Sequence, residues 1–238
     1  MERKNIATLE TELFKEDAIA LNRLAMYRKL SELYGVDLAE EYLRQLEEHE
    51  IYRHDETAVI GKPYCASVTL YPFLLHGNTS IGGTSDAPKN LASFTGAFVN
   101  LVFALASQFC GAVSTPEWLG YMDYFIRKEY GDDYYLHADR IVDLSVRKRS
   151  IDKVITDAFE QVVYSLNQPA SARGNQSVFW NIACFDRPYF EGMFENFVFP
   201  DGTAMQWASV NWLQKRFMRW FNEERRRKLL TFPVETVN

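Results

Sequence analysis

The feature of this chain that most restricts its fold is a change of hydrophobic period between residues 154 and 184. Before residue 164, apolar residues recur at the spacing of an α-helix. They are Val154, Ile155, Ala158, Phe159, Val162 and Val163. A polar segment follows, and the residues from Ser177 to Cys184 are then rich in β-branched and aromatic types, which predicts a strand. The sequence therefore predicts a helix that leads through a polar loop into a buried strand.

The loop itself reads YSLNQPASARGNQSVFWN from Tyr164 to Asn181. It combines a proline, a glycine, several amides, three serines and a single arginine. A polar loop of this kind, feeding a buried strand, can hold a charged small molecule that carries hydroxyl groups. The same composition is also typical of an ordinary helix-to-strand connection. The pattern alone leaves both interpretations open.

Helices that alternate with short apolar runs predict an α/β fold. Further helices are predicted over residues 90–111, 116–130, 139–166 and 207–228, and strands over 66–75 and 229–235. Thr115 and Pro116 suit the N-cap and first position of one helix, and Gly131 suits its end. Residues 8–50 read as two amphipathic helices that meet near Gly35, with a packing or dimer-contact role. We therefore expect a helical segment over residues 1–50 and the main domain over 51–238.

Composition excludes several classes of function. The net charge is −6, from 26 basic and 32 acidic side chains, so no global positive field attracts nucleic acid. The basic run from Arg225 to Lys228 suits the end of a helix. Cys65, Cys110 and Cys184 are too few and too scattered for a disulfide framework or a four-thiolate zinc site, and the histidines lack ligand spacing, so no metal site is expected.

The chain also lacks sequence signals for secretion or membrane insertion. Its N-terminus has no apolar core of the signal-peptide type. The longest apolar stretch, residues 97–106, is well short of the ~20 residues that cross a bilayer. We expect a cytoplasmic protein without membrane or nucleic-acid partners.

Several stretches resemble segments of the class III anaerobic ribonucleoside-triphosphate reductases, which are glycyl radical enzymes. The polar loop is similar to their SLNxPxRxGxQ-type segment. The other matching stretches, in family order, are YRHDE (52–56), KPYCAS (62–67), APKNLASF (87–94), VFPDGT (198–203) and LLTFPVET (229–236). The resemblance covers roughly residues 45 to 238. It implies a ten-stranded α/β barrel made of two five-stranded halves, of which this chain supplies the N-terminal helices and roughly the first half.

The resemblance implies catalytic roles for Cys65 and His54. A cysteine in the segment that matches KPYCAS faces the substrate in the family and takes part in reduction by formate. His54, beside Asp55, is then a candidate to move protons or hold a substrate hydroxyl. From the residues alone, Cys65 also suits a buried apolar position, and His54 also suits a loop where it satisfies backbone groups.

The loop supplies the candidate substrate contacts. They are Asn167, Ser171, Arg173, Gly174, Gln176 and Asn181. Amides and hydroxyls pair with ribose hydroxyls, an arginine fork binds phosphate oxygens, and a glycine lets the backbone approach the ligand. The alternative is that these side chains only satisfy the loop backbone. The chain has SVFWN at 177–181, where related sequences often have a Thr-Pro-Phe-Thr-Asn run, so the pocket shape need not match.

The segment APKN places Lys89 at the start of a predicted helix, where the helix dipole favours anions. By resemblance, Lys89 is a candidate contact for ATP or deoxynucleoside triphosphate effectors, which bind near such a segment at the dimer interface of the family. A solvated lysine at a helix N-terminus is the alternative.

The family's remaining machinery lies outside the matched stretches. The radical glycine, usually beside a four-cysteine zinc site, and the thiyl cysteine both follow the TFPVET segment in the family. The resemblance therefore implies an enzyme that needs the C-terminal half and an activating enzyme with an iron–sulfur cluster and S-adenosylmethionine. This chain alone should bind no cofactor and be inactive. Whether it is a split subunit, a truncated product or a fragment stays open.

Two other functions remain open at this point. The first is a different glycyl radical enzyme, such as a lyase or dehydratase, although a ribonucleotide-shaped polar pocket argues against it. The second is a non-catalytic nucleotide-binding fragment.

Overall fold

The computed structural model describes residues 14–53, 56, 63–79, 84–143, 148–168 and 177–238. Two helices come first, α1 (Lys15–Tyr34) and α2 (Val36–Glu47), and they pack against each other. Gly35 separates them at a φ of 92°, a conformation that glycine adopts without a steric penalty. Nε and Nη2 of Arg23 donate to the Glu56 carboxylate, at 2.8 and 3.1 Å. These bonds connect α1 to the segment that follows α2.

The centre of the protein is a four-stranded parallel sheet. Its strands, in spatial order, are β1 (Ala66–Ser67), β2 (Val113–Ser114), β5 (Trp180–Cys184) and β6 (Val234–Val237). Two further strands, β3 (Ile141–Asp143) and β4 (Arg149–Ser150), form a separate antiparallel pair. The spatial order of the strands follows their chain order. Because neighbouring strands are parallel, the chain must return to the starting end of the sheet between them, and it does so through helices.

Helices fill the three crossovers of the sheet. They are α3 (Tyr71–His76) and α4 (Leu91–Gln108) after β1, then α5 (Trp118–Tyr130), a 3-10 turn (Tyr134–Leu136) and α6 (Ile151–Leu166) after β2, then α7 (Arg187–Phe194) and α8 (Trp207–Arg225) after β5. This is the mixed α/β architecture that the sequence predicts.

An aromatic core joins the sheet to its helices. Trp180 of β5 meets Trp118 of α5 edge to face, with ring centroids 4.9 Å apart. Phe98 of α4 stacks on Trp118, and Phe217 of α8 meets it edge-on at 5.4 Å. All four side chains are fully buried. One indole ring therefore links three elements, and the burial of such rings dominates core stability.

A buried charge ties α5 to its neighbours. The Asp123 carboxylate accepts hydrogen bonds from Arg127 at 2.8 Å, from the Ser209 hydroxyl at 2.9 Å and from the Tyr134 hydroxyl at 2.8 Å. Burial raises the pKa of Asp123 to about 6, because the loss of hydration outweighs the lowering effects of these three partners.

The predicted strand over residues 66–75 is wrong for most of its length. Only Ala66–Ser67 is strand, and Tyr71–His76 is helix α3. Pro72 lies in the first turn of α3, where its missing N–H costs nothing and its fixed φ favours helix.

The predicted helix over 139–166 begins only at Ile151. The residues before it form β3 and β4, where Arg149 pairs with Asp143 at 2.8 Å, and the Ser150 hydroxyl caps α6. The ion pair joins residues whose proximity the helical pattern did not reveal.

Smaller differences occur at other element ends. Helix α5 begins at Trp118, and the Thr115 hydroxyl accepts from the Trp180 indole at 2.8 Å instead of capping the helix. Helix α8 ends at Arg225 and β6 spans Val234–Val237, later than the predicted 229–235. The sequence analysis did not predict helix α7.

Among the described residues, α4 is long and apolar enough to cross a membrane by length and composition alone. Half of it is buried inside the protein, where Phe94, Phe98 and Val102 are fully enclosed. Core helices meet the same criteria, so the match is weak support for a membrane span.

Candidate active site

Short polar side chains cross the sheet on one face, and we call them the polar row. They are Ser67 of β1, Ser114 of β2, Asn181 of β5 and Thr236 of β6. The Ser114 hydroxyl donates to Oδ1 of Asn181 at 2.9 Å, and Nδ2 of Asn181 donates to the Thr236 hydroxyl at 2.9 Å. Since side chains alternate along a strand, the row faces away from the aromatic core. Asn181, a predicted substrate contact, lies within it.

A cavity of about 320 Å³ lies over the polar row. Its opposite wall includes Tyr189 and Met193 of α7. Phe185, which directly follows β5, belongs to the same wall. The Phe185 and Tyr189 rings are stacked, with centroids 5.7 Å apart and planes 8° from parallel. A cavity with hydroxyls on one side and a flat aromatic surface on the other suits a ligand that joins a polyol to a planar ring.

Glu117 closes one end of this cavity. Its Oε2 accepts from the backbone N–H of Leu70 and from the Thr69 hydroxyl, both at 3.0 Å. Leu70 immediately precedes α3, so the carboxylate lies where the helix dipole favours negative charge. Glu117 thereby fixes the chain that leaves β1 against the chain that leaves β2.

Four residues of this site were not predicted from the sequence: Ser67, Ser114, Thr236 and Glu117. The strands β1 and β2 are two residues long, too short for a clear alternation of polar and apolar side chains. The sequence signal for the row was weak: Ser114 follows the apolar Val113, and Asn181 follows Trp180.

Cys65 lies directly before β1 and is exposed. It is two residues before Ser67 of the polar row. Its Sγ accepts a hydrogen bond from the backbone N–H of Ala112 at 3.2 Å. The structure thus places the predicted redox thiol at the edge of the polar row, with β2 between it and Asn181.

The other two cysteines differ from Cys65 in environment. Cys184 is buried on the core side of β5, and burial raises the pKa of its thiol to about 12. Cys110 is half-buried just before β2.

Asn167 uses its whole side-chain amide inside the protein. Nδ2 donates to the carbonyls of Val163 and Phe232, both at 2.7 Å. Oδ1 accepts from the backbone N–H groups of Thr231 and Phe232, at 2.9 and 3.1 Å. These bonds tie the end of α6 to the segment before β6. A substrate contact by Asn167 stays a prediction, and it would require a ligand to displace one of these partners.

Five predicted site residues lie outside the described residues. They are His54, Ser171, Arg173, Gly174 and Gln176. Their described neighbours are anchored: the Ser177 hydroxyl donates to the Asn167 carbonyl at 2.9 Å, and Glu56 is held by Arg23.

Lys89 is exposed just before α4. The following residue, Asn90, caps the helix: its Oδ1 accepts from the Ser93 N–H at 2.8 Å, and the Ser93 hydroxyl accepts from the N–H groups of Asn90 and Lys89 at 3.1 and 3.0 Å. The sequence analysis placed this helix start within one residue.

A second cavity, of about 250 Å³, lies between the start of α4, the end of α5 and α6. Leu91, two residues after Lys89, lines it, and its N–H donates to Glu129 at 2.5 Å. The far wall carries Arg149 between Asp143 and Asp157, at 2.8 and 3.4 Å. We call this the α4–α6 cavity. It is separate from the cavity over the polar row.

Solved structures similar to this one come from the anaerobic ribonucleotide reductase of Thermotoga maritima. The form with citrate in the active site has a TM-score of 0.80 and 28% identity, over 98% of this chain and 41% of that one. The form with dATP bound in the specificity site and the form in complex with dATP and CTP each have a TM-score of 0.80 and 29% identity, over 98% of this chain and 38% of theirs. The chain therefore spans less than half of the solved proteins that it matches.

A comparison with curated protein sequences found no match. A family model gives independent support from sequence: the model described as anaerobic ribonucleoside-triphosphate reductase matches residues 11–238. That range includes the whole sheet, the polar row and Cys65. On this basis the chain belongs to the anaerobic ribonucleoside-triphosphate reductase family.

Proposed function

We propose that this chain forms part of the catalytic barrel of an enzyme that reduces ribonucleoside triphosphates to deoxyribonucleoside triphosphates without oxygen. The reaction uses a glycyl and a thiyl radical, with formate as reductant. The observation that supports the proposal is the hydrogen-bonded row of Ser114, Asn181 and Thr236 on a parallel sheet, with Cys65 directly before its first strand, in a chain of the reductase family.

The polar row orients the ribose. Asn181 is held between Ser114 and Thr236, so its amide has a fixed direction before any ligand arrives. The hydroxyls of the row can each donate to and accept from the hydroxyls of a sugar. Pre-set groups of this kind lower the barrier by fixing the reacting geometry. The stacked rings of Phe185 and Tyr189 offer a flat surface for the nucleobase.

Cys65 supplies reducing equivalents together with formate. In the overall change the ribose loses its 2′-hydroxyl as water, and formate is oxidised to carbon dioxide. His54 is proposed to move a proton or hold a hydroxyl during this step. Arg173 and Gly174 are proposed to receive the triphosphate, with Ser171, Gln176 and Asn167 as neighbouring polar contacts.

The radical glycine, the thiyl cysteine and the zinc site are proposed to belong to a C-terminal half of the reductase. In the described part of the chain, β1 and β6 are the edges of the sheet. Closing a ten-stranded barrel would require further strands to pair with these edges. A partner activating enzyme with an iron–sulfur cluster and S-adenosylmethionine would generate the glycyl radical.

The α4–α6 cavity is the proposed site for an ATP or deoxynucleoside triphosphate effector, and Lys89 lies two residues before Leu91, which lines it. The dATP in the specificity site of the Thermotoga protein supports a separate effector site in this family. The outer side of α4 leaves Ala92, Gly96 and Val99 wholly or partly exposed, as a helix at a homodimer contact would. We further propose a helical lead-in over residues 1–50, a partial barrel over 51–238 and a cytoplasmic location.

The test is a Cys65→Ser substitution in the reductase assembled with its C-terminal half. Ribonucleotide binding should be unchanged, and formate-dependent turnover should be lost, because a hydroxyl does not replace a thiol in one-electron chemistry. The control is Cys184→Ala, which alters a thiol on the core face. Normal turnover in Cys65→Ser would remove Cys65 from the mechanism.

Calorimetry distinguishes the alternative functions. A different glycyl radical enzyme should bind a small organic acid and no nucleoside triphosphate. A non-catalytic fragment should bind nucleotide but form no stable complex with the C-terminal half. The polar row and the aromatic side chains that line the cavity favour the reductase over the first of these.

A further inference from the structure

We infer that Gly111 and the backbone N–H of Ala112 hold the sulfur of Cys65 in place on the sheet. Gly111 is thus a positioning residue, which acts on the reaction through Cys65. The chemical purpose of this arrangement rests on the proposed function, whereas the contacts themselves do not.

The pairing of β1 with β2 is irregular just before the two strands. In a regular parallel ladder the evenly spaced bonds would pair the Ala112 N–H with the Tyr64 carbonyl, because the Ala112 carbonyl accepts from the Ala66 N–H at 3.0 Å. Instead, the Gly111 N–H donates to the Tyr64 carbonyl, at 2.5 Å. The Ala112 N–H donates to Sγ of Cys65 at 3.2 Å. The sulfur therefore replaces a backbone carbonyl as acceptor.

This arrangement requires glycine at position 111. A Cβ there would lie 2.6 Å from Sγ of Cys65, 2.8 Å from the Tyr64 carbonyl oxygen and 2.9 Å from a carbon of the Tyr64 ring. Carbon contacts are favourable only from about 3.5 Å. The Tyr64 carbonyl belongs to the paired backbone and cannot move alone. Any side chain at 111 must displace the sulfur or open the pairing.

The sulfur is consequently held from two sides. Gly111 presents a flat backbone surface to it, and Ala112 supplies a directional hydrogen bond. Because the sulfur accepts this bond, its own S–H proton stays available for a ligand on the open face. A reaction that needs a thiol at a fixed distance from a ribose gains from such positioning.

The first experiment measures amide hydrogen exchange at Ala112 by NMR in this chain. Removing the sulfur in Cys65→Ala, or displacing it in Gly111→Ala, should speed this exchange at least about tenfold, since one hydrogen bond is lost. The matched control is Gly96→Ala, because a Cβ at Gly96 meets nothing within 4 Å. Exchange at Ala112 should be unchanged in that variant.

Val113 serves as the internal reference, since its N–H donates to the Phe179 carbonyl at 2.8 Å. Its exchange should be unchanged in Cys65→Ala. In Gly111→Ala, faster exchange at Ala112 together with Ala66, whose N–H donates to the Ala112 carbonyl at 3.0 Å, would mean that the β1–β2 pairing has opened, which the steric argument also predicts. Unchanged exchange at Ala112 in Cys65→Ala would overturn the sulfur contact.

The second experiment measures turnover in the assembled reductase. Gly111→Ala should lower kcat with formate at least about tenfold and leave the KM for ribonucleotide unchanged. An unchanged kcat would overturn the positioning role. If Cys65→Ser keeps full turnover, the proposed function of Cys65 fails, while the exchange at Ala112 still decides whether the sulfur is held.

Discussion

At the scale of single residues, Asn167 fixes two segments that are far apart in the chain. Its amide is the junction between the end of α6 and the residues before β6. The motif that identified Asn167 gave its position but not its partners. Thr231 and Phe232 lie more than sixty residues away in sequence, and only the fold brings them together.

Asn167→Ala should lower the free energy of unfolding by about 2 kcal/mol, since the backbone N–H groups of Thr231 and Phe232 lose their acceptor. Urea unfolding followed by circular dichroism measures the change. The matched control is Asn222→Ala, at an exposed position on α8, where a change within about 0.5 kcal/mol is expected. Equal effects of the two substitutions would show that the junction contributes nothing.

Asp123 makes stability depend on pH in an unusual direction. Its folded-state pKa of about 6 lies above the ordinary value of 3.8, because burial disfavours the charge. Between these values the folded state keeps a proton that the unfolded state releases. The resulting stabilisation is full below about pH 4 and is lost as pH rises through 6.

Asp123→Asn removes this titration while retaining a similar shape. Relative to Asp123→Asn, the wild-type protein should lose on the order of 2 kcal/mol of unfolding free energy between pH 4 and pH 6.5. Urea unfolding of both proteins at several pH values measures the difference. A difference that is constant over this range, or that grows in favour of the wild type, contradicts the assignment.

At the scale of elements, local signals predicted the helices better than the strands. Gly35 and Gly131 end helices as expected, and the α4 start follows from Asn90. Strands β1 and β2 are stabilised by pairing with neighbouring strands, so their local sequence does not predict them. The same holds for the polar row. Asn181 could be predicted because it belongs to a motif, whereas Ser67 and Ser114 join the row only through the alignment of the strands.

The cap of α4 can be tested by itself. Asn90→Ala removes the reciprocal bonds with Ser93 and should cost about 1 kcal/mol of unfolding free energy. Gln206→Ala is the control, because Gln206 precedes α8 without a side-chain capping bond, and its effect should be near zero. Thermal unfolding compares the two. A loss in Gln206→Ala as large as in Asn90→Ala would argue against the capping box.

At the scale of the whole molecule, the sites proposed for substrate and effector are two separate cavities. One lies over the polar row, and the other lies between α4 and α6. Helix α4 and the core around Trp118 lie within the same packed cluster as the sheet. In the described part of the chain, this packed core connects the α4–α6 cavity to the polar row, and the proposed effector would act through it.

Lys89→Glu tests this separation. The substitution reverses a charge two residues before Leu91, which lines the α4–α6 cavity. If Lys89 contacts the effector as proposed, the Kd for a deoxynucleoside triphosphate should rise about tenfold, since one charge-assisted contact is lost. The Kd for the ribonucleoside triphosphate should not change, because the start of α4 lines the α4–α6 cavity and contributes no residue to the cavity over the polar row. Calorimetry on each variant measures both constants.

Lys215→Glu, at an exposed position on α8, provides the same change of net charge away from both cavities and should alter neither constant. If Lys89→Glu and Lys215→Glu weaken effector binding equally, the effect is one of overall charge. If Lys89→Glu weakens both ligands equally, the two cavities are not independent sites.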